Sequence, residues 1–82
     1  MLTIKFFGHI TTLLGCRELS LEASDFPSVG ALRQHLAQKD AQWAFAFNDQ
    51  TLLMAVNHTF CDEQQSLTAG DEVAFFPPVT GG

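Results

Sequence analysis

A chain of 82 residues makes one small domain and leaves no room for a second. Hydrophobic residues supply 46% of it and charged residues only 16%, which excludes a disordered polypeptide. Nine acids against four bases give a formal charge of −5, and Lys5, Arg17, Arg33 and Lys39 are scattered, so no phosphate-tracking surface and no nucleic-acid partner are expected.

Residues 2–7 alternate, with Leu2, Ile4 and Phe6 on one side and Thr3, Lys5 and Phe7 on the other, the pattern of a half-buried strand. No basic stretch precedes these apolar positions and no small-residue cleavage site follows them, so a signal peptide is not expected. No later run approaches the roughly 18–20 apolar residues that cross a bilayer. A cytoplasmic protein without a membrane partner is the expectation. Gly8 and Gly15 bracket a short turn or helical segment, and residues 17–23 alternate again as a second strand, antiparallel to the first.

Ser28 is a good N-cap after the Asp25-Phe26-Pro27 stop, and Val29, Leu32 and Leu36 recur at helical spacing. A helix over about 28–39 follows, with Arg33, Gln34 and Gln38 facing outward. Gly30 in its first turn costs at most about 1 kcal/mol. The segment 41–47 carries Trp43, Phe45 and Phe47 and reads equally as a short helix or an irregular aromatic plug.

Leu52 to Val56 is apolar without interruption, as in a central strand apolar on both faces. Asn57-His58 is a turn, Thr59–Cys61 a short edge strand, 67–71 a loop and 72–76 the last strand, ended by Pro77 and Pro78. The order strand, strand, helix, strand, short strand, strand predicts an α+β fold, the ubiquitin-like β-grasp. Its mixed sheet has one main helix packed on one face, and its first and last strands are central neighbours. Residues 1–76 form this domain and 77–82 a flexible tail.

Cys16 and Cys61 do not make a disulfide framework and read as small hydrophobic side chains near the core. His9, His35 and His58 lie far apart, and no Cys-x-x-Cys or His-x-x-x-His pair begins a metal site.

The tail carries the chemistry. Pro77-Pro78-Val79-Thr80-Gly81-Gly82 reaches roughly 20 Å when extended, at about 3.3 Å per residue. The prolines stiffen its base, and the glycines, lacking Cβ, fit a narrow channel beside a nucleotide. A carboxylate is a poor electrophile, and activation as an acyl-adenylate supplies the leaving group that Gly82 lacks. Alternation also turns Phe7 and Phe76 to the face the helix leaves uncovered, where adjacent aromatics form a protein interface.

The ending Asp71-Glu72-Val73-Ala74-Phe75-Phe76-Pro77-Pro78-Val79-Thr80-Gly81-Gly82 resembles that of the MoaD sulfur-carrier family, the small subunits of molybdopterin synthase. Similarity extends to Phe6-Phe7-Gly8, to Phe26-Pro27-Ser28-Val29 with Ala31-Leu32-Arg33, and to Leu52-Leu53 running into Ala55-Val56-Asn57. The resemblance implies that a ubiquitin-activating-enzyme-like adenylyltransferase spends ATP to adenylate Gly82, which then becomes a thiocarboxylate, a 1-thioglycine. It implies transfer of that sulfur to cyclic pyranopterin monophosphate in a heterotetramer of two large and two small subunits. The catalytic side chains are then on the large subunit, and this chain is no enzyme on its own and binds no cofactor or metal. Gly81, Thr80 and Val79 are the tail residues bound by the partner, and Phe7, Phe76, Phe75 and Pro77 the docking residues. Alternatives are a sulfur carrier for thiamine or tRNA thiolation, a ubiquitin-like modifier forming isopeptide bonds, and a plain binding module.

Overall fold

The computed structural model describes residues 1–78. Strand β1 (Leu2–Phe6) leads through helix α1 (Ile10–Leu14) to β2 (Glu18–Leu21). Helices α2 (Val29–Ala37) and α3 (Ala41–Phe47) follow, then β3 (Leu53–Val56), β4 (Thr59–Phe60) and β5 (Glu72–Phe76). The sheet order is β2-β1-β5-β3-β4, with β1 parallel to β5 and the other pairs antiparallel. The first and last strands are thus central neighbours, as expected, and the α+β architecture is the ubiquitin-like β-grasp.

Alternation decides which side chains form the core. On β1, Leu2, Ile4 and Phe6 are at most 2% exposed, and on β5 Val73 and Phe75 are fully buried beside them. The register Ile4↔Val73 and Phe6↔Phe75 puts these four in one row under the helices. Ser28 caps α2 by accepting from the Ala31 N–H at 3.2 Å, and Val29, Leu32 and Leu36 are fully buried.

The undecided segment 41–47 is a helix because Asp40 caps it, its Oδ1 accepting from the Gln42 and Trp43 N–H groups at 2.9 and 3.0 Å. That cap turns Trp43 and Phe47 inward. Trp43 stacks on Phe47 at 5.8 Å between centroids and meets the edge of Phe6 at 5.5 Å, and Phe47 meets Phe75 edge-on at 5.0 Å. Such pairs add about 0.5–1.5 kcal/mol each beyond area burial. Cys16 and Cys61 are free and pack, partly buried, against this core.

Two expectations about α2 need correction. Arg33 does not face outward; it is 9% exposed. Its aliphatic stem packs inward while Nε donates to the Phe47 carbonyl at 2.7 Å and Nη2 to the Asp49 carbonyl, and Nη1 lies 3.4 Å from Glu63. A cation placed on the Phe47 carbonyl at the end of α3 and on the Asp49 carbonyl just beyond it satisfies groups the helix itself cannot. Gly30 is also more than a tolerated weakness. Its N–H donates to the Glu63 carbonyl at 2.9 Å, and a Cβ there would stand 3.0 Å from the same oxygen. The 62–65 loop packs on α2 because that position has no side chain.

Candidate functional site

All three helices lie on the face that holds Phe6 and Phe75, and the opposite face of the sheet is left to its strands. There Thr3, Lys5 and Phe7 continue the outward side of β1, and Glu72, Ala74 and Phe76 that of β5. Cross-strand pairing adds Leu53 opposite Phe76, Ala55 opposite Ala74, and Phe60 opposite Ala55. Small residues therefore occupy the centre and large ones the surround. The result is an open groove of about 540 Å³ with Ala55 and Ala74 as its floor and Phe7, Phe60, Phe76 and Pro77 among its walls.

The aromatic walls touch. Phe7 and Phe76 meet edge-on at 6.0 Å, and Phe60 and Phe76 at 5.4 Å. Phe7 is 47% exposed and Phe60 67%, so together they form a contiguous apolar patch instead of isolated exposed residues. At the opposite end Glu72 sits between Lys5 and His58, whose nitrogens are each 3.5 Å from its carboxylate oxygens. The Asn57-His58 turn that places His58 has positive φ at both residues, 50° and 69°, the geometry of a tight two-residue hairpin. Asn57 ties that turn to β5: its amide donates to Asp71 at 2.9 Å and its carbonyl oxygen accepts from the Glu72 N–H at 3.0 Å.

Among the described residues no group of three His, Cys, Asp or Glu side chains is placed to hold a metal ion. Burial, with a smaller push from Asp62, raises the Cys61 thiol above its ordinary value, so it is a neutral side chain at neutral pH and not a reactive thiolate. The polar cavity of about 500 Å³ beside Arg33 and Glu63 surrounds a guanidinium already engaged by two carbonyls and a carboxylate. The open face thus carries an apolar groove with a charged end.

Of the anticipated site residues, Phe7, Phe76 and Pro77 come together on the groove. Phe75 does not belong there. The two-residue period of β5 sends it to the covered face, where it is fully buried against Phe6 and Phe47. Phe60 takes its place and was not anticipated, because a two-residue strand is too short to show alternation. Its usable signal was a large aromatic next to a turn, on an edge strand where burial was not required. Val79, Thr80, Gly81 and Gly82 lie outside the described residues. What is described is the point of departure: β5 ends at Phe76 on the open face, and Pro77 and Pro78 line both the groove and a second cavity beside Leu13 and Phe45.

The sequence pattern of the ThiS family matches residues 4–82. The chain is 50% identical, over all 82 residues and the full length of both, to the molybdopterin synthase sulfur carrier subunit of Escherichia coli (strain K12). In three dimensions it resembles SAMP1 from Haloferax volcanii with a TM-score of 0.81 at 24% identity, covering 99% of this chain and 98% of that one. It also resembles, with a TM-score of 0.70 at 24% identity and 99% and 97% coverage, a chain in the complex of subunits 1 and 2 of the molybdopterin-converting factor from Helicobacter pylori 26695. At these identities the structural likeness speaks to the fold.

Proposed function

The chain belongs to the ThiS family, and from that premise we propose that it is the sulfur carrier subunit of a molybdopterin synthase, working with a large subunit. One arrangement carries this. The central strand β5 ends on the open face at Phe76, beside an exposed aromatic groove, and the sequence from there reads Pro77-Pro78-Val79-Thr80-Gly81-Gly82. A partner that covers the groove is thereby positioned at the base of the segment that ends in Gly82.

The reacting group is the Gly82 carboxylate. A partner adenylyltransferase joins it to AMP from ATP with release of pyrophosphate, and sulfur delivered at the sulfide level then displaces AMP to leave a thiocarboxylate. In the synthase, a heterotetramer of two large and two small subunits, that sulfur attacks cyclic pyranopterin monophosphate, and water then cleaves the acyl–sulfur bond to return the Gly82 carboxylate. Catalytic side chains come from the large subunit. Gly81, Thr80 and Val79 line the partner's channel, while Phe7, Phe60, Phe76 and Pro77 form the dock. The acidic chain is suited to a partner with a basic rim, which raises encounter rates. The whole cycle is cytoplasmic; among the described residues no helix is long and apolar enough to cross a membrane.

The test is a chain lacking Gly82, prepared beside the full-length chain with the activating partner. The full-length chain gains an oxygen-to-sulfur mass shift and transfers sulfur to the pterin precursor with the large subunit. The shortened chain gains no sulfur but keeps its thermal stability and its large-subunit affinity. Sulfur transfer without Gly82, or conjugation of Gly82 to lysines in a lysate, would overturn the proposal. So would a sulfurated chain that serves only a thiamine or tRNA acceptor.

A further inference from the structure

We infer that Gly8 is a positioning residue for sulfur transfer: it sets the direction in which the C-terminal segment leaves the sheet. The inference rests on the carrier function proposed above and concerns a residue outside the reacting tail. Gly8 closes the turn after β1 with φ +67°, and a Cβ built on it would lie 2.8 Å from Cγ and 3.0 Å from Cδ of Pro77. The ring of the first tail residue thus lies in the space a side chain at position 8 would fill.

The turn cannot yield easily. The Gly8 carbonyl accepts both the N–H and the hydroxyl of Thr11, at 3.2 and 2.9 Å, and the Phe7 N–H donates to the Phe75 carbonyl at 3.1 Å. With position 8 pinned to α1 and the ends of β1 and β5 bonded together, an added methyl group displaces Pro77. Ordinary contact begins at 3.4 Å, so the ring moves by several tenths of an ångström. Pro77 fixes its own φ, and Phe76 and Pro77 each precede a proline, which restricts both to extended backbone. A stiff base converts a small displacement into a tilt, and each later residue lengthens the lever by up to about 3.3 Å. Misplacing a reacting group by about 1 Å costs on the order of a hundredfold in rate.

The fold supplies a matched control. Gly15 has the same φ of +67° and nothing within 4 Å of a built Cβ. Gly8→Ala and Gly15→Ala therefore share backbone strain, and only the first presses on the tail. Thiocarboxylated forms of the full chain, bound to the large subunit with cyclic pyranopterin monophosphate, are followed through a single turnover. With the large subunit at saturating concentration, so that any change in docking affinity drops out, Gly8→Ala slows transfer by about tenfold to a hundredfold. Gly15→Ala matches it in lost thermal stability but transfers at the wild-type rate. Pro77→Ala removes Cγ and Cδ; it slows transfer by itself, and adding Gly8→Ala to it slows transfer no further. A Gly8→Ala chain as fast as wild type, an equal slowing in Gly15→Ala, or an undiminished Gly8→Ala effect in the Pro77→Ala background overturns the inference alone. A wild-type chain that transfers no sulfur overturns the carrier function, and this inference with it.

Discussion

Phe75 and Phe76 are adjacent and chemically identical, but the strand period assigns them to opposite sides of the sheet. Phe75 is fully buried among Phe6 and Phe47, while Phe76 stands in an open aromatic trio with Phe7 and Phe60. One side gains its free energy when the chain folds; the other retains apolar surface that only a second protein can cover. The lesson is that aromatic content says little about purpose until the side of the sheet is known.

The sharpest way to break that division is Phe75→Ala, expected to cost about 3–5 kcal/mol in chemical denaturation. A loss under about 1 kcal/mol would mean the covered side is not the source of stability. Phe76→Ala tests the other half. It is expected to weaken large-subunit binding by about 1–3 kcal/mol in calorimetric titration, while folding stability changes by no more than about 1 kcal/mol. Equal losses in folding and binding would erase the distinction.

A smaller effect concerns the edge of the open side. The Thr68 backbone N–H, and after it the Asn57 amide, donate to Asp71 at 2.9 Å each and hold its carboxyl below the ordinary 3.8. Folded Asp71 therefore binds its proton less tightly than the unfolded chain does. Its contribution is complete above the ordinary carboxylate value and disappears as pH falls through the depressed one. The acid limb of a stability–pH curve should be shallower in Asp71→Asn than in wild type, with the two curves furthest apart near neutrality and converging in acid. Coincident acid limbs would show that this junction does not help hold the fold.

The parts legible in the sequence are those where one side chain has one reason. Alternation on β1 and β5 gave the strands, their sides and the Phe7–Phe76 pair, and Ser28 with Val29, Leu32 and Leu36 gave α2. Legibility failed where a residue serves a distant segment. Arg33 carries the charge of a solvent-facing position, but its partners are carbonyls at 47 and 49, which no local period reveals. Gly30 looks like a flaw until the Glu63 backbone is seen against it. Helix α3 is too short for its period to outweigh its aromatic content, and its start depended on the Asp40 cap. In the candidate site, Phe60 was hidden by the brevity of β4.

The parallel pairing of β1 with β5 also bears on how the protein is made. The hydrogen-bonded centre of the sheet joins residues 3–6 to residues 72–75, so the β1–β2 and β3–β4 hairpins share no neighbour until β5 is synthesised. Nascent chains must wait for that last strand, and such non-local closure is slow. A chain without β5 lacks the strand that joins the two pairs, and the apolar rows of β1 and β3 lose their shared neighbour. Completion of the fold thus acts as a length check, and a chain stopped before residue 76 presents no finished surface for a partner to recognise.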